Sequence, residues 1–357
     1  MKDLFFELIQ VGTGVREQLS TMPSAKEWKE LFMESQRQTV VGIAFEGMQK
    51  LPKQQYPPKD ILYQWISACE QIKQRNILLN QRVVEVSKVF AEAGFRTCIL
   101  KGQGNALMYP NPLSRTPGDI DVWVDGTREE ITSFVRSQVP NAYGQYQHID
   151  FPVFKDVEVE VHFKPSRQNN PVYNRRLQRF YIQCKDAQFR NVCRELDGQG
   201  GVCIPENGFN LVFQLSHIMN HFFVEGVGLR QLMDYYYLLH REFSDREQEK
   251  FQYKVRRLGM RKFAASLMWV MKEVFKMEDR FILVEPYEKG GRLLLDEVTA
   301  TGNFGHHDVR YQFRKRGVLA RVLTDLYRDM KMANVFPAEV VCMPWAKIEN
   351  QLYKSGK

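Results

Sequence analysis

The chain has 357 residues, 44% of them hydrophobic and 26% charged, with a formal net charge of +8. This is the balance of a soluble globular protein, long enough for two or three domains, and no run of about 18 apolar residues appears, which excludes a membrane-spanning helix. The basic excess favours an anionic partner such as a nucleotide or RNA, although many basic proteins bind no nucleic acid.

The first segment, "MKDLFFELIQVGTGVREQLS", is interrupted by Glu7 and lacks both a long apolar region and a small-residue cleavage site, so no signal peptide is expected. Cys69, Cys98, Cys184, Cys193, Cys203 and Cys342 are scattered with no CxxC pair. Free thiols and a cytoplasmic location follow as expectations. From Ser24 to about Leu51, Trp28, Leu31, Phe32, Val40, Ile43, Phe45 and Met48 recur at helical spacing and predict one helix. The prolines of "LPKQQYPPKD" break it. A long helix from Ile61 to Ala93 follows, with Leu78, Leu79, Val83, Val86, Val89 and Phe90 as its apolar stripe and Gly94 as its stop.

Composition then changes. "FRTCILKG" is a short β-rich run, "QGNALMY" a short helix or turn, "PNPLSRTPG" a proline-rich loop and "DIDVWV" a second strand. "TREEITSFVRSQV" is a helix with Thr127 as N-cap. "FPVFKDVEVEVHF" is extended, and "RNVCRELDGQGGVCIP" is a hairpin turning at "DGQGG". Helices are expected over Phe209–Phe222, Leu229–Arg241, Asp245–Leu258, Arg261–Phe275 and Val318–Met332. Strands and helices do not alternate long enough for a doubly wound fold. The expectation is an α+β protein: an N-terminal helical region over 1–70, a core with a small mixed β-sheet over 71–205 and a C-terminal helical domain over 206–357.

In "GDIDVWV", Asp119, Asp121 and Trp123 share one face of a strand, and Ile120, Val122 and Val124 the other. Two carboxylates so close repel each other unless a proton or a cation intervenes. "DVEVEVHF" repeats the pattern, with Glu158, Glu160 and His162 opposite Val157, Val159, Val161 and Phe163. A lone strand of this kind is an ordinary solvated edge. Two such strands side by side converge three carboxylates, the donor set of a hard divalent cation. A pair of ions about 3.5–4 Å apart activates an attacking hydroxyl and neutralises a leaving pyrophosphate.

"LKGQGNALMYPNPLSRTPGDIDVWV" followed by "VEVHF" resembles the uncharacterised nucleotidyltransferases of the DNA polymerase beta-like superfamily, and the resemblance extends to "LSHIMNHF" and "GLRQLMDYYYLL". It implies a nucleotidyltransferase core with a glycine-containing turn at Lys101 and Gly102 and catalytic, metal-holding Asp119, Asp121 and Glu160. By the same resemblance, Mg²⁺ or Mn²⁺ is the cofactor and an NTP such as ATP the substrate. Glu160 takes the third position because a His follows two residues later; Glu158 is its rival. The superfamily's usual Gly-Ser pair is replaced by Lys101-Gly102, and the third acid is Glu rather than Asp.

Around this set, Arg115 is read as a phosphate ligand or as an ion-pair partner of Asp119 or Asp121. Lys101 is a phosphate ligand or a surface residue. His162 orients Glu160, contacts substrate or is structural. Asn210, Gln214, His217 and His221 form a polar helical stripe; "HIMNH" has zinc-helix spacing, but Ile218 stands where a metalloprotease needs Glu. Arg230 and Asp234 are spaced to pair, and "NRRLQRF", "KVRRLGMRK" and "RKRGVLAR" are basic runs. The function expected is transfer of a nucleoside monophosphate to an unknown hydroxyl acceptor (small molecule, RNA or protein) with release of pyrophosphate. The alternative is a catalytically silent nucleotide- or RNA-binding protein of the same fold. No membrane partner is expected, and the oligomeric state is left open.

Overall fold

A computed structural model describes residues 2–196, 201–302 and 318–355. The chain opens with α1 (Lys2–Thr13), α2 (Ala25–Arg37) and α3 (Val41–Lys50). The single helix expected from Ser24 to Leu51 is thus two. The break has a tertiary cause: buried Gln38 donates through Nε2 to the Val298 carbonyl and accepts through Oε1 from the Leu229 N–H. Beside that anchored amide Thr39 takes the left-handed region, at φ 54°, and the Val40 N–H closes the end of α2 onto the Ser35 carbonyl. The long helix, α4, runs Lys59–Glu92 and ends where Gly94 expects it to.

The mixed sheet follows: β1 (Thr97–Ile99), α5 (Gly102–Ala106), β2 (Ile120–Val124), α6 (Arg128–Gln138), β3 (His148–Asp150) and β4 (Val159–His162). Thr127 caps α6 in a reciprocal box with Glu130. Strand order is β1-β2-β4-β3, with β2 and β4 parallel and both outer pairs antiparallel. The extended run before Val159 forms no strand; Asp156 there pairs with Arg82 at 2.8 Å. Helix α7 (Pro171–Gln188) was not among the expected elements. Strands β5 (Val192–Cys193) and β6 (Val202–Cys203) form the expected hairpin, whose turn at 197–200 lies outside the described residues.

The rest is helical: α8 (Asn207–Val224), α9 (Leu229–Leu239), α10 (Asp245–Arg257), α11 (Arg261–Phe275), α12 (Glu288–Thr301), α13 (Val318–Ala333), α14 (Pro337–Val340) and α15 (Met343–Ser355). Part of the basic run "RKRGVLAR" lies outside the described residues. Among the described residues, no helix is long and apolar enough to cross a membrane.

Alternation along the strands sends the two sheet faces into different cores. Ile99, Ile120, Val122, Val124, Val159 and Val161 pack with Leu79, Val83, Val86 and Phe90 of α4 and Ile131 and Val135 of α6. Trp123 on the other face lies 4.8 Å from Phe189 and 5.9 Å from Phe209. That second core continues through helices from both ends of the chain, from Leu8 and Ile9 to Phe263 and Met271. Helix α4 bridges the two: Ile61 and Trp65 belong to the helical core, Leu79 to Phe90 to the sheet core. The region boundary expected at 70/71 therefore falls within one continuous helix.

Candidate active site

Parallel pairing places Asp121 of β2 opposite Glu160 of β4, so both side chains leave the same face of the sheet. Asp119 precedes β2 by one residue. Carboxylate oxygens of Asp119, Asp121 and Glu160 lie within 4.8 Å of one another. Glu158 is exposed and outside this group. The loop entering β2 is fixed from α4, where buried Asn76 donates through Nδ2 to the carbonyls of Leu113 and Arg115 at 3.0 and 2.8 Å.

The repulsion anticipated from the sequence is answered by two cations. Lys101 Nζ lies 2.7 Å from Asp121 Oδ1, and His162 Nε2 lies 2.8 Å from the same oxygen and 3.4 Å from Glu160 Oε2. Burial would raise the Asp121 carboxyl, but Lys101 and the His162 hydrogen bond hold it well below the usual carboxylate range. Asp119 goes the other way: burial and then the Asp121 charge push it up to about 6, with Lys101 opposing. Burial would depress the His162 imidazole, yet its bonds to Asp121 and Glu160 hold it at about 9. Lys101 likewise resists its burial and stays above its ordinary value, because Asp121, Asp119 and Glu160 surround it.

Lys101 is not an exposed surface residue: it is largely buried and lines the cleft. Its ammonium is shared between Asp121 and His217 Nε2, at 3.3 Å. Burial and the neighbouring Lys101 charge hold His217 well below the ordinary imidazole range, so it accepts from Lys101. Gly102, at φ +50°, turns the chain from β1 into α5 through a conformation that favours glycine.

Arg115 pairs with neither Asp119 nor Asp121. Its Nε and Nη2 donate to Oδ1 and Oδ2 of Asp234, each at 2.8 Å, and the pair is buried. Nη1 has no hydrogen-bond partner among the described residues, and Arg115 lines the cleft. Tyr109 Oη and Asn105 Nδ2 also donate to Asp234, and Gln214 Nε2 donates on to Asn105 Oδ1 at 3.0 Å. Asp234 thus takes a partner 119 residues away rather than Arg230, which is four residues before it on α9. Arg230 Nη1 donates instead to the Thr116 and Pro117 carbonyls, and lies 3.4 Å from where a Gly118 side chain would begin.

Lys101, Arg115, Asp119, Asp121, Glu160 and His162 line one cavity of about 500 Å³. Its far wall is α8, where Gln214, His217 and His221 of the polar stripe face the carboxylates. Its mouth meets α15 through Met343 and Ala346, and Arg167 reaches Glu349 of that helix at 3.1 Å. His217 and His221 join no metal-ligand cluster among the described residues. The sequence reading missed His148 of β3, whose Nδ1 lies 3.3 Å from Glu160 Oε2. A three-residue strand carries too little alternation to announce it.

A mixed sheet presenting convergent carboxylates into a polar cleft between helical regions fits the nucleotidyltransferase class. A family model described as "Uncharacterised nucleotidyltransferase" matches residues 24–276, and the chain belongs to that family. Among solved structures it is similar to an antigenic nucleotidyltransferase-like protein from Paracoccidioides brasiliensis, at 14% identity, over 61% of this chain and 95% of that one, with a TM-score of 0.34. No curated protein matches.

Proposed function

We propose that the chain transfers a nucleoside monophosphate from an NTP, ATP among them, to a hydroxyl acceptor and releases pyrophosphate. The observation that carries this reading is the approach of Asp119, Asp121 and Glu160 to within 4.8 Å in the cleft. An all-oxygen donor set suits Mg²⁺ or Mn²⁺, and these carboxylates would hold it. Such ions neutralise phosphate charge and lower the pKa of a bound hydroxyl.

Within the protein, Glu160 is assigned the acceptor's proton, since its side chain is 31% exposed against 2% for Asp121. Lys101 and Nη1 of Arg115 are assigned to the phosphates, and Gly102 to close backbone approach. His162 positions Asp121 and Glu160 by hydrogen bonding to both. The catalytic contribution is alignment and charge neutralisation in a partly dehydrated cleft.

One observation favours a silent nucleotide- or RNA-binding protein: Lys101 and His162 already neutralise Asp121 without a metal. Incubation of the purified chain in cell extract with each NTP labelled at the α-phosphate, plus Mg²⁺ or Mn²⁺, separates the two. Transfer predicts label on a small molecule, RNA or protein that Asp119→Ala and Asp121→Ala abolish while far-UV circular dichroism is unchanged. Nucleotide binding with no labelled product from any NTP establishes the silent reading instead.

A further inference from the structure

Glu160 also belongs to a second set of donors that does not include Asp119. His148, Glu160 and His162 offer one ligand atom each, all within 4.8 Å of one another. Both imidazoles converge on a single oxygen, with His148 Nδ1 at 3.3 Å and His162 Nε2 at 3.4 Å from Glu160 Oε2. Two ligands held by one tetrahedral ion at about 2.0–2.1 Å each stand about 3.4 Å apart, so these spacings are edges of such a polyhedron.

Of the two remaining ring nitrogens, that of His162 has an oxygen acceptor within hydrogen-bond distance. A metal-ligating histidine donates its remaining N–H to an oxygen acceptor, which fixes the tautomer and leaves the ligating nitrogen's lone pair free. His162 Nδ1 lies 3.3 Å from the Lys164 carbonyl. His148 Nε2 is buried and makes no hydrogen bond among the described residues; Asp150 Oδ1, at 3.7 Å, is the nearby carboxylate oxygen it would have to close on. Register aligns the whole set, because β3 pairs His148 with His162 and Asp150 with Glu160. The two histidines come from different strands that the sequence separates by the whole β3–β4 connection.

We propose that His148, Glu160 and His162 form a binding site for a borderline transition ion such as Zn²⁺, distinct in donor chemistry from the all-oxygen set of Asp119, Asp121 and Glu160. Two imidazoles and one carboxylate leave a fourth position for water or substrate, the make-up of an open site rather than a closed structural one. Glu160 is the carboxylate common to both sets; metal binding displaces the His162 Nε2 proton to solvent, and the freed lone pair turns from Asp121 to the ion. The inference goes beyond the transfer reading and holds whether or not nucleotide is transferred.

The test uses the full, untagged chain, stripped with chelator and titrated with Co²⁺ and then Zn²⁺. Visible d–d bands of tetrahedral or five-coordinate Co²⁺, saturating at one equivalent and displaced by Zn²⁺, are expected. Thiolate charge-transfer bands, which the cysteines would give, are expected to be absent. His148→Gln and, separately, His162→Gln should weaken Zn²⁺ binding at least tenfold, whereas Asp119→Asn should change it less than twofold. Featureless Co²⁺ spectra, thiolate bands, or unchanged Zn²⁺ affinity in folded His148→Gln overturn the site. Loss of binding in Asp119→Asn together with His148→Gln shows one merged centre and overturns it as well.

Discussion

Arg115 and Asp234 meet through two parallel hydrogen bonds of 2.8 Å, buried beside the cleft, and join the loop before β2 to helix α9. Burial would raise the Asp234 carboxyl, but the Arg115 guanidinium and its hydrogen bonds keep it below its ordinary value. A folded-state value lowered in this way contributes stability above the unfolded-state value near 3.8, and that contribution is lost as pH falls through the folded one. Removing one partner leaves the other charge buried and unpaired. Asp234→Ala is therefore expected to cost about 3–5 kcal/mol in urea denaturation at pH 7. A double replacement, Arg115→Met with Asp234→Leu, is expected to recover most of that loss. A double variant no more stable than the single would show that the pair's shape, not its charge balance, holds the loop.

Asp119 carries the opposite expectation. Its carboxyl is raised to about 6 by burial and the Asp121 charge. Its contribution to stability is complete below about 3.8 and is lost as pH rises through about 6. In metal-free protein at pH 7.5, Asp119→Asn should raise the Tm by on the order of 2 °C, with the gain vanishing at pH 4. Mn²⁺ at 100 times its Kd should stabilise the unsubstituted chain by about 2.7 kcal/mol and Asp119→Asn much less. Equal stabilisation of both by Mn²⁺ would remove Asp119 from the metal assignment.

Lys101 separates binding from architecture. Its ammonium bridges Asp121 and His217, and its replacement removes a charge from the phosphate side of the proposed site. Lys101→Met is expected to weaken nucleotide binding about tenfold or more by calorimetry, the scale of a lost hydrogen bond to a charged group. His217→Ala removes only the group that steadies the ammonium and should cost less than half as much in free energy. A His217→Ala effect equal to that of Lys101→Met would make His217 a direct ligand.

What the sequence disclosed and what it hid follow from range. The period of two in "DIDVWV" and "EVEVH" exposes which side chains share a face, and the long stripe of α4 exposes a helix. The carboxylate cluster was legible because both strands showed the same pattern. The partner of Asp234 was not, because the i, i+4 spacing to Arg230 is local while Arg115 lies 119 residues away. Helix α7 escaped notice because Arg175, Arg176 and Arg179 dilute its apolar face, although Asn170 before Pro171 was a usable start signal. The break at Thr39 depends on where Gln38 finds its partners, in α9 and α12. No window around Gln38 contains that information.

Glu339 offers a test remote from the carboxylate cluster. On α14 it is 5% exposed, and neither carboxylate oxygen has a hydrogen-bond partner among the described residues. Burial pushes its carboxyl up to about 7, and the nearby backbone N–H groups of Asn170 and Asn169 offset only part of this. The folded state thus binds the proton more tightly than the unfolded one. Stability from this group is complete below about 4.5 and is lost as pH rises through about 7. Glutamine keeps the shape, stays neutral and removes the titration. The stability of Glu339→Gln relative to the unsubstituted chain should therefore rise by on the order of 3 kcal/mol between pH 4.5 and pH 8. Urea denaturation at several pH values measures that difference directly. A flat difference across the range would mean that Glu339 is ionised and solvated when folded, and that α14 does not seal it from water.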